Sequence, residues 1–264
     1  MPELAEVAYH AKQWKSGVGE QLRVAVANGN SRVFRDVDLS TFREKLDGKI
    51  LERIFTHGKR MLFQLSGDLW LGVHLGMTGS LGCYELNREH EKHDHLVLGT
   101  GNIQLVFNDP RQFGKIDLWV SRGLPDFWRA LPPQPMDDGF TLDLFLGYCV
   151  RRRRSVLKSF LLLQECFPGI GNWMADEILW RARLDPRSRV GSLSDKESQD
   201  LYESLRFVSL GAMQCIAVDY GDPPRSWLFS HRWKAGGICP ETNVTLDRIV
   251  IGGRTTCWSP AWQS

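Results

Sequence analysis

The sequence predicts an α+β protein: an N-terminal helix and β-sandwich, then a helical domain, then a C-terminal β-hairpin. Three observations carry that prediction. From about residue 20 to 121, short apolar runs alternate with Gly-, Asn- and Asp-containing turns. Past a Pro- and Gly-rich stretch at 123–140 the apolar spacing turns helical. The segment 226–264 returns to β character around the pair Gly252-Gly253.

Residues 2–15 form the first predicted helix, with Leu4, Val7, Ala8, Ala11 and Trp14 on one apolar stripe. Pro2 suits its first position, where a missing N–H costs nothing. Seven strand-like runs follow: LRVAVA, KILERIF, RMLFQL, LWLGVHL, HLVLGT, IQLVF and KIDLWV. With the turns ANGN, LSGD and GTGN between them, they predict a sandwich or barrel of roughly seven or eight strands. DLSTFREKL (38–46) interrupts them as a helix with an Asp or Ser cap. After the linker come helical patterns over 141–164, 172–184 and 194–218, and NVTLDRIVIGGRTTCW (243–258) reads as a hairpin. The expected domains are 1–122, a linker at 123–140, a helical domain at 141–225 and a hairpin segment at 226–264.

The 264 residues are 42% hydrophobic and 24% charged, which excludes wholesale disorder. Every apolar stretch is broken well short of membrane-span length, so no membrane partner is expected. MPELAEV is acidic rather than basic, unlike a signal or transit peptide, and secretion is not expected. Six cysteines without a CxxC pair do not make a disulfide framework. The net charge of +2 divides unevenly: 17 basic minus 19 acidic side chains gives −2 for 1–150, and 16 minus 12 gives +4 for 151–264. The C-terminal excess points mildly to a polyanion.

Five segments carry candidate chemistry. If Met1 is removed, the chain starts with the secondary amine of Pro2. An α-amine titrates near ~8, so part of it is nucleophilic at neutral pH and can form an iminium with a sugar aldehyde. Glu3 and Glu6 lie one helical turn apart, placed to shuttle a proton and orient the amine; ordinary helix initiation explains the same residues. Lys59, in HGKRM, projects from a hairpin tip toward a phosphate or simply toward water. Met77 in HLGMTGSL, and Arg111 and Phe113 in NDPRQFG, sit in tight turns. There they either fold back into the core or act as wedges that fill the vacancy of an extruded base. In PGIGNWMADEILW, Asn172 opens a helix after Gly169 and Gly171, as an N-cap or as part of a phosphate site. RRRRSVLK upstream, ending in Lys158, supplies cations. Arg254 follows the Gly-Gly turn of the C-terminal hairpin, where it reaches a phosphate or lies on the surface.

In this order, the segments PELAEV, HGKRMLF, HLGMTGSL, KHDHLVL, NDPRQFG, KSFLLLQ…GIGNWMADEIL and RTTCWSPAWQ resemble the motifs of the formamidopyrimidine-DNA glycosylase / endonuclease VIII family over essentially the whole chain. The resemblance implies an eight-stranded sandwich, a helix–two-turns–helix domain and a hairpin zinc finger. It implies Pro2 as nucleophile, Glu3 as acid/base, Glu6 as supporting carboxylate and Lys59 as an aid to cleavage at the phosphate. Met77, Arg111 and Phe113 become the void-filling trio, and Asn172 and Arg254 the pair that pinches the flanking phosphates. The implied reaction is excision of an oxidised base followed by β,δ-elimination, on damaged DNA, duplex or single-stranded. A monomer in the cytoplasm (bacterial nucleoid) or nucleus fits it.

Two departures stand out. The family's finger usually holds zinc with two CxxC pairs; here those positions read Cys239, Thr242, Ser259 and Trp262. One thiolate cannot hold structural zinc, so a zincless finger is expected, with no metal or other cofactor, held by Ile249, Ile251, Trp258 and Trp262. The stretch between Gly211 and Cys239 looks several residues short of the loop that covers a flipped purine, so oxidised pyrimidines, hydantoins and abasic sites are favoured over 8-oxoguanine. A retained Met1 would make the Pro2 nitrogen an amide and leave a catalytically silent damaged-DNA binder. A ribosomal-type RNA-binding module is a third reading, from the fold alone.

Overall fold

The computed structural model describes all 264 residues. Met1–Pro2 and Glu6–Leu131 form one compact unit; Glu3–Ala5 and Pro132–Ser264 form the other. The division falls within the Pro- and Gly-rich stretch, which also carries a short helix, α3 (Asp126–Arg129).

The first unit holds most of α1 (Leu4–Lys12), then β1 (Arg23–Ala27) and α2 (Leu39–Leu46). Strands β2 (Leu51–His57), β3 (Arg60–Leu65), β4 (Leu69–His74) and β5 (Ser80–Glu85) follow. β6 (Asp94–Gly99), β7 (Ile103–Asn108) and β8 (Lys115–Val120) complete it. They make two antiparallel four-stranded sheets, β1-β6-β7-β5 and β2-β3-β4-β8. Leu96, Leu98, Leu105 and Phe107 of one sheet share a buried cluster with Phe63, Leu71, Val73 and Ile116 of the other. This is a sandwich core built from alternate residues of facing strands. β5 is the strand missing from the seven apolar runs. SLGCYE alternates weakly, and it lies at a sheet edge where little apolar area is needed. α2 begins as expected at Asp38, whose carboxylate accepts the Thr41 N–H at 2.8 Å.

α1 starts at Leu4, not at Pro2. The Leu4 N–H donates to the Gly169 carbonyl at 3.1 Å, so residues 2–3 are drawn out of helical geometry.

In the second unit the 141–164 pattern folds as two helices, α4 (Leu142–Arg151) and α5 (Leu157–Leu161). β-branched Val156 is extended between them and bridges to Arg189. α6 (Asn172–Arg181) and α7 (Asp195–Asp219) follow, α7 opened by a Ser194/Glu197 capping box. Phe140, Phe145, Phe160, Phe167, Ile178 and Leu205 are among the fully buried side chains of their core. β9 (Asp247–Ile251) and β10 (Arg254–Trp258) form the hairpin, with Gly252 and Gly253 at φ 56° and 74°, a turn backbone that side chains disfavour.

The hairpin is held in part as expected: Trp258 is buried and Trp262 packs against a buried cluster, but the isoleucines contribute less. Ile249 and Ile251 are only half-buried. Thr256 and Cys257 are buried along with Trp258, and Cys257 clusters with Trp180, Leu228, Cys239 and Leu246, with Trp262 packed against them. Three consecutive buried residues point to both faces of β10, so the end of this strand, which lies against α6, is covered on both sides. No helix of the protein is long and apolar enough to cross a membrane.

Candidate active site and nucleic-acid interface

Glu3 is the best-defined member of the site. Its side chain is buried and caps α6: one oxygen accepts the N–H groups of Gly171 (2.9 Å) and Met174 (3.2 Å), the other that of Trp173 (3.0 Å). Three donors and the positive end of a helix stabilise the carboxylate charge. Gly171 is needed because a Cβ there would collide with the Glu3 carboxyl group. Gly171→Ala should therefore expel the carboxylate from the helix terminus. We expect the activity implied by the resemblance to fall at least tenfold while the thermal midpoint moves by only a few degrees, for about 1–3 kcal/mol of lost hydrogen bonding. Steady-state kinetics beside calorimetry checks this.

Gly171, not Asn172, occupies the N-cap position of α6. Asn172 is the first helical residue, and its amide N–H donates to the Thr255 carbonyl at 2.8 Å. This bond brings Asn172 beside Arg254, the preceding residue on β10, whose side chain is exposed. The pair expected to grip phosphates is thus assembled by one hydrogen bond within one unit.

Lys158 does not belong to an exposed cationic face. It is fully buried, and its ammonium donates to the Asn172 carbonyl (2.7 Å) and to Asp176 Oδ1 (2.5 Å). α5 turns it inward behind the Gly169–Asn172 turn, so it supports Asn172 rather than touching a phosphate. Burial pulls its pKa below the ordinary value, against the opposing pull of Asp176. Asp176, buried four residues after Asn172, also accepts from Arg232 (2.5 Å) and from the Cys257 N–H (3.0 Å). One carboxylate thus joins α5, α6, β10 and the segment after α7. Sequence reasoning missed it; the signal was its helical spacing from Asn172.

In the first unit, Lys59 follows Gly58 in the two-residue turn between β2 and β3 and is half-buried. His74 ends β4 and meets the next loop at Gly76. Burial lowers its pKa, and the charges of Lys59, Arg60 and Arg35 add to that, so its ring accepts the Gly76 N–H at 3.1 Å. Met77 follows directly. Thr78 then donates to Asp109 at 2.7 Å, and the same buried carboxylate accepts the Gly114 N–H at 2.7 Å. Asp109 therefore locks the Met77 loop to the loop carrying Arg111 and Phe113. Phe113 is 43% exposed with the Arg111 guanidinium 4.7 Å from its ring centre, so neither folds back into the core. Asp109 and His74 were also missed; Asp before Pro in a tight turn is the readable cue. Pro2 and half-buried Glu6 belong to this first unit.

The four finger positions converge. Trp180 donates to Cys239 Sγ at 3.4 Å, and Trp262 packs in the same cluster. Burial raises the Cys239 pKa, but hydrogen bonds from Thr242, Trp180 and Ser259 outweigh it and bring it below the ordinary thiol value. One sulfur, two hydroxyls and an indole do not fit structural zinc, which takes four nitrogen or sulfur ligands.

Residues 1–116 match the family model of the formamidopyrimidine-DNA glycosylase N-terminal domain, and residues 131–217 that of its H2TH domain. A formamidopyrimidine-DNA glycosylase of Carboxydothermus hydrogenoformans is 30% identical over the full length of both chains. One from Thermus thermophilus is 32% identical, covering 100% of this chain and 98% of its own. A solved Lactococcus lactis Fpg in complex with abasic-site DNA is 26% identical with a TM-score of 0.86, covering 99% of each chain. A MutM structure with DNA containing carbocyclic 8-oxo-G shows the same identity, TM-score and coverage.

Proposed function

The chain belongs to the formamidopyrimidine-DNA glycosylase family, and on that premise we propose that it removes oxidised bases and then cleaves the abasic site through a Schiff base on Pro2. The observation that carries the reading is the Glu3 carboxylate held by three N–H donors, one residue from that nitrogen.

In the proposed sequence Pro2, freed of Met1, attacks C1′ with its nitrogen lone pair. The glycosidic bond breaks and its electron pair leaves with the base, which takes up a proton from water. Pro2 nitrogen yields its proton to the Glu3 carboxylate. The nitrogen lone pair then forms the C1′=N⁺ iminium as the C1′–O4′ bond opens, and Glu3 returns the proton to O4′. Loss of the C2′ proton expels the 3′ phosphate, and a second elimination expels the 5′ phosphate. Water finally hydrolyses the imine and frees Pro2.

Glu6 supports the amine and Lys59 assists departure of the phosphate. Met77, Arg111 and Phe113 fill the space left by the extruded base, while Asn172 and Arg254 hold the flanking phosphates. One chain carries all these groups, so a monomer suffices, on duplex or single-stranded DNA. The finger is proposed to be zincless, on the donor set above.

Specificity is proposed to favour oxidised pyrimidines and hydantoins. Residues 220–238, between α7 and Cys239, are pinned by buried Trp227, Leu228, Phe229 and Arg232. The Phe229 N–H also donates to Glu177 at 3.0 Å. Little chain is left to close over a purine. A panel of defined lesions in duplex and single-stranded oligonucleotides tests this. Faster release of hydantoins and oxidised pyrimidines than of 8-oxoguanine is expected, and the reverse order would refute the preference.

A further inference from the structure

A groove of about 420 Å³ runs between α1 and the outer side of β2 in the first unit. Ala8, Ala11, Val18 and Ile54 make its floor. Lys12, Lys15 and Arg53, all exposed, stand around it, and no acidic side chain lines it. β2 is the edge strand of its sheet. The chain after α1 covers that edge only at Leu51, where the Gly19 N–H donates to the Leu51 carbonyl at 2.7 Å and the Leu51 N–H to the Glu20 carbonyl at 3.2 Å. Beyond Leu51, residues 53–56 have no strand on their outer side.

An open sheet edge beside apolar floor residues invites another strand, and sequences ordinarily blunt such edges. Here the edge is flanked by cations, and the Arg53 guanidinium lies over the Phe55 ring at 4.8 Å, which restricts its freedom before any ligand arrives. The floor is aliphatic. It offers no aromatic platform for bases, and the N–H groups of a strand edge alternate with carbonyls, which suits another strand better than a phosphate. A peptide finds all three features: main-chain groups to pair, an apolar slot for alternate side chains, and cations for its carboxylates.

We propose that this groove takes an extended acidic segment of another protein, added as a strand along β2 at Arg53–Thr56, with alternate aliphatic side chains on Val18 and Ile54. The site is separate from the repair chemistry, so a silent enzyme could still bind the segment.

The probe is a fluorescein-labelled peptide alternating Asp or Glu with Val or Leu, titrated against the intact protein by anisotropy. Salt-sensitive binding is expected, weakened about tenfold or more by Arg53→Glu or Lys15→Glu. Both variants should retain glycosylase activity on a lesion duplex, because neither position is in the proposed machinery. Hydrogen exchange should slow at the amides of 53–56 when the peptide is bound. A peptide whose acidic residues are replaced by Lys should not bind. The proposal is overturned if the charge reversals leave binding unchanged or if exchange at β2 is unaffected. It is equally overturned if a short single-stranded oligonucleotide occupies the groove in competition with the peptide and with the same dependence on Arg53, which would make the groove part of the nucleic-acid track.

Discussion

Glu3→Gln is expected to reduce base excision by about 10²–10⁴-fold, the usual worth of a positioned acid/base group. Strand cleavage at preformed abasic sites should survive in part. The carboxylate accepts three N–H groups through two oxygens, and a carboxamide must turn an NH₂ toward at least one of those donors. The variant therefore loses both the proton carrier and part of its anchorage. Single-turnover assays on a lesion duplex and on an abasic duplex separate the two activities. Equal, complete loss on both would place Glu3 in the architecture rather than in proton transfer.

Asp176→Ala should cost more stability than Gly171→Ala or Glu3→Gln. It strips the counter-charge from Lys158, fully buried, and from Arg232, nearly so. Breaking a buried pair on one side costs about 3–5 kcal/mol. For a chain of this size that is a fall of roughly 10 °C in Tm. Adding Lys158→Met should recover part of the loss, since one stranded charge disappears with it. DNA affinity should drop too, because Asn172 rests on Lys158 and β10 rests on Asp176 through the Cys257 N–H. A melt unchanged by Asp176→Ala would show that this network does not organise the unit.

The sequence made the repeating features legible. Asp38 announced its helix through cap chemistry, and Gly252-Gly253 fixed the turn of the last hairpin. Seven of the eight sandwich strands showed as apolar runs, whereas β5, a weakly alternating edge strand, did not. What stayed hidden was set by contacts distant in sequence. Pro2 suits a first helical position by propensity, yet the Gly169 carbonyl and the α6 terminus draw residues 2–3 out of the helix. Lys158 reads as one more cation after four arginines, but a buried Asp176 turns it inward. Asn172 is a good cap in isolation; Gly171 takes that place because only it leaves room for the Glu3 carboxylate. The finger's isoleucines carry the β pattern yet stay half-buried, while Thr256 and Cys257 join the expected Trp258 in being buried. The candidate residues stand in readable motifs; of the side chains that hold them, Asp176 and Asp109 left only a faint local cue, and His74 and Arg232 left none.

The proposed chemistry requires that the Pro2 nitrogen bond covalently to deoxyribose. Met1 is 47% exposed, accessible to removal by an aminopeptidase. Mass spectrometry first establishes a preparation that begins at Pro2; sodium borohydride is then added during turnover of a lesion or abasic duplex. A trapped protein–DNA adduct is expected, with its attachment mapping to residue 2 and vanishing when Met1 is retained. A correctly processed protein that releases bases yet yields no adduct, or an adduct mapped to Lys59, would contradict it.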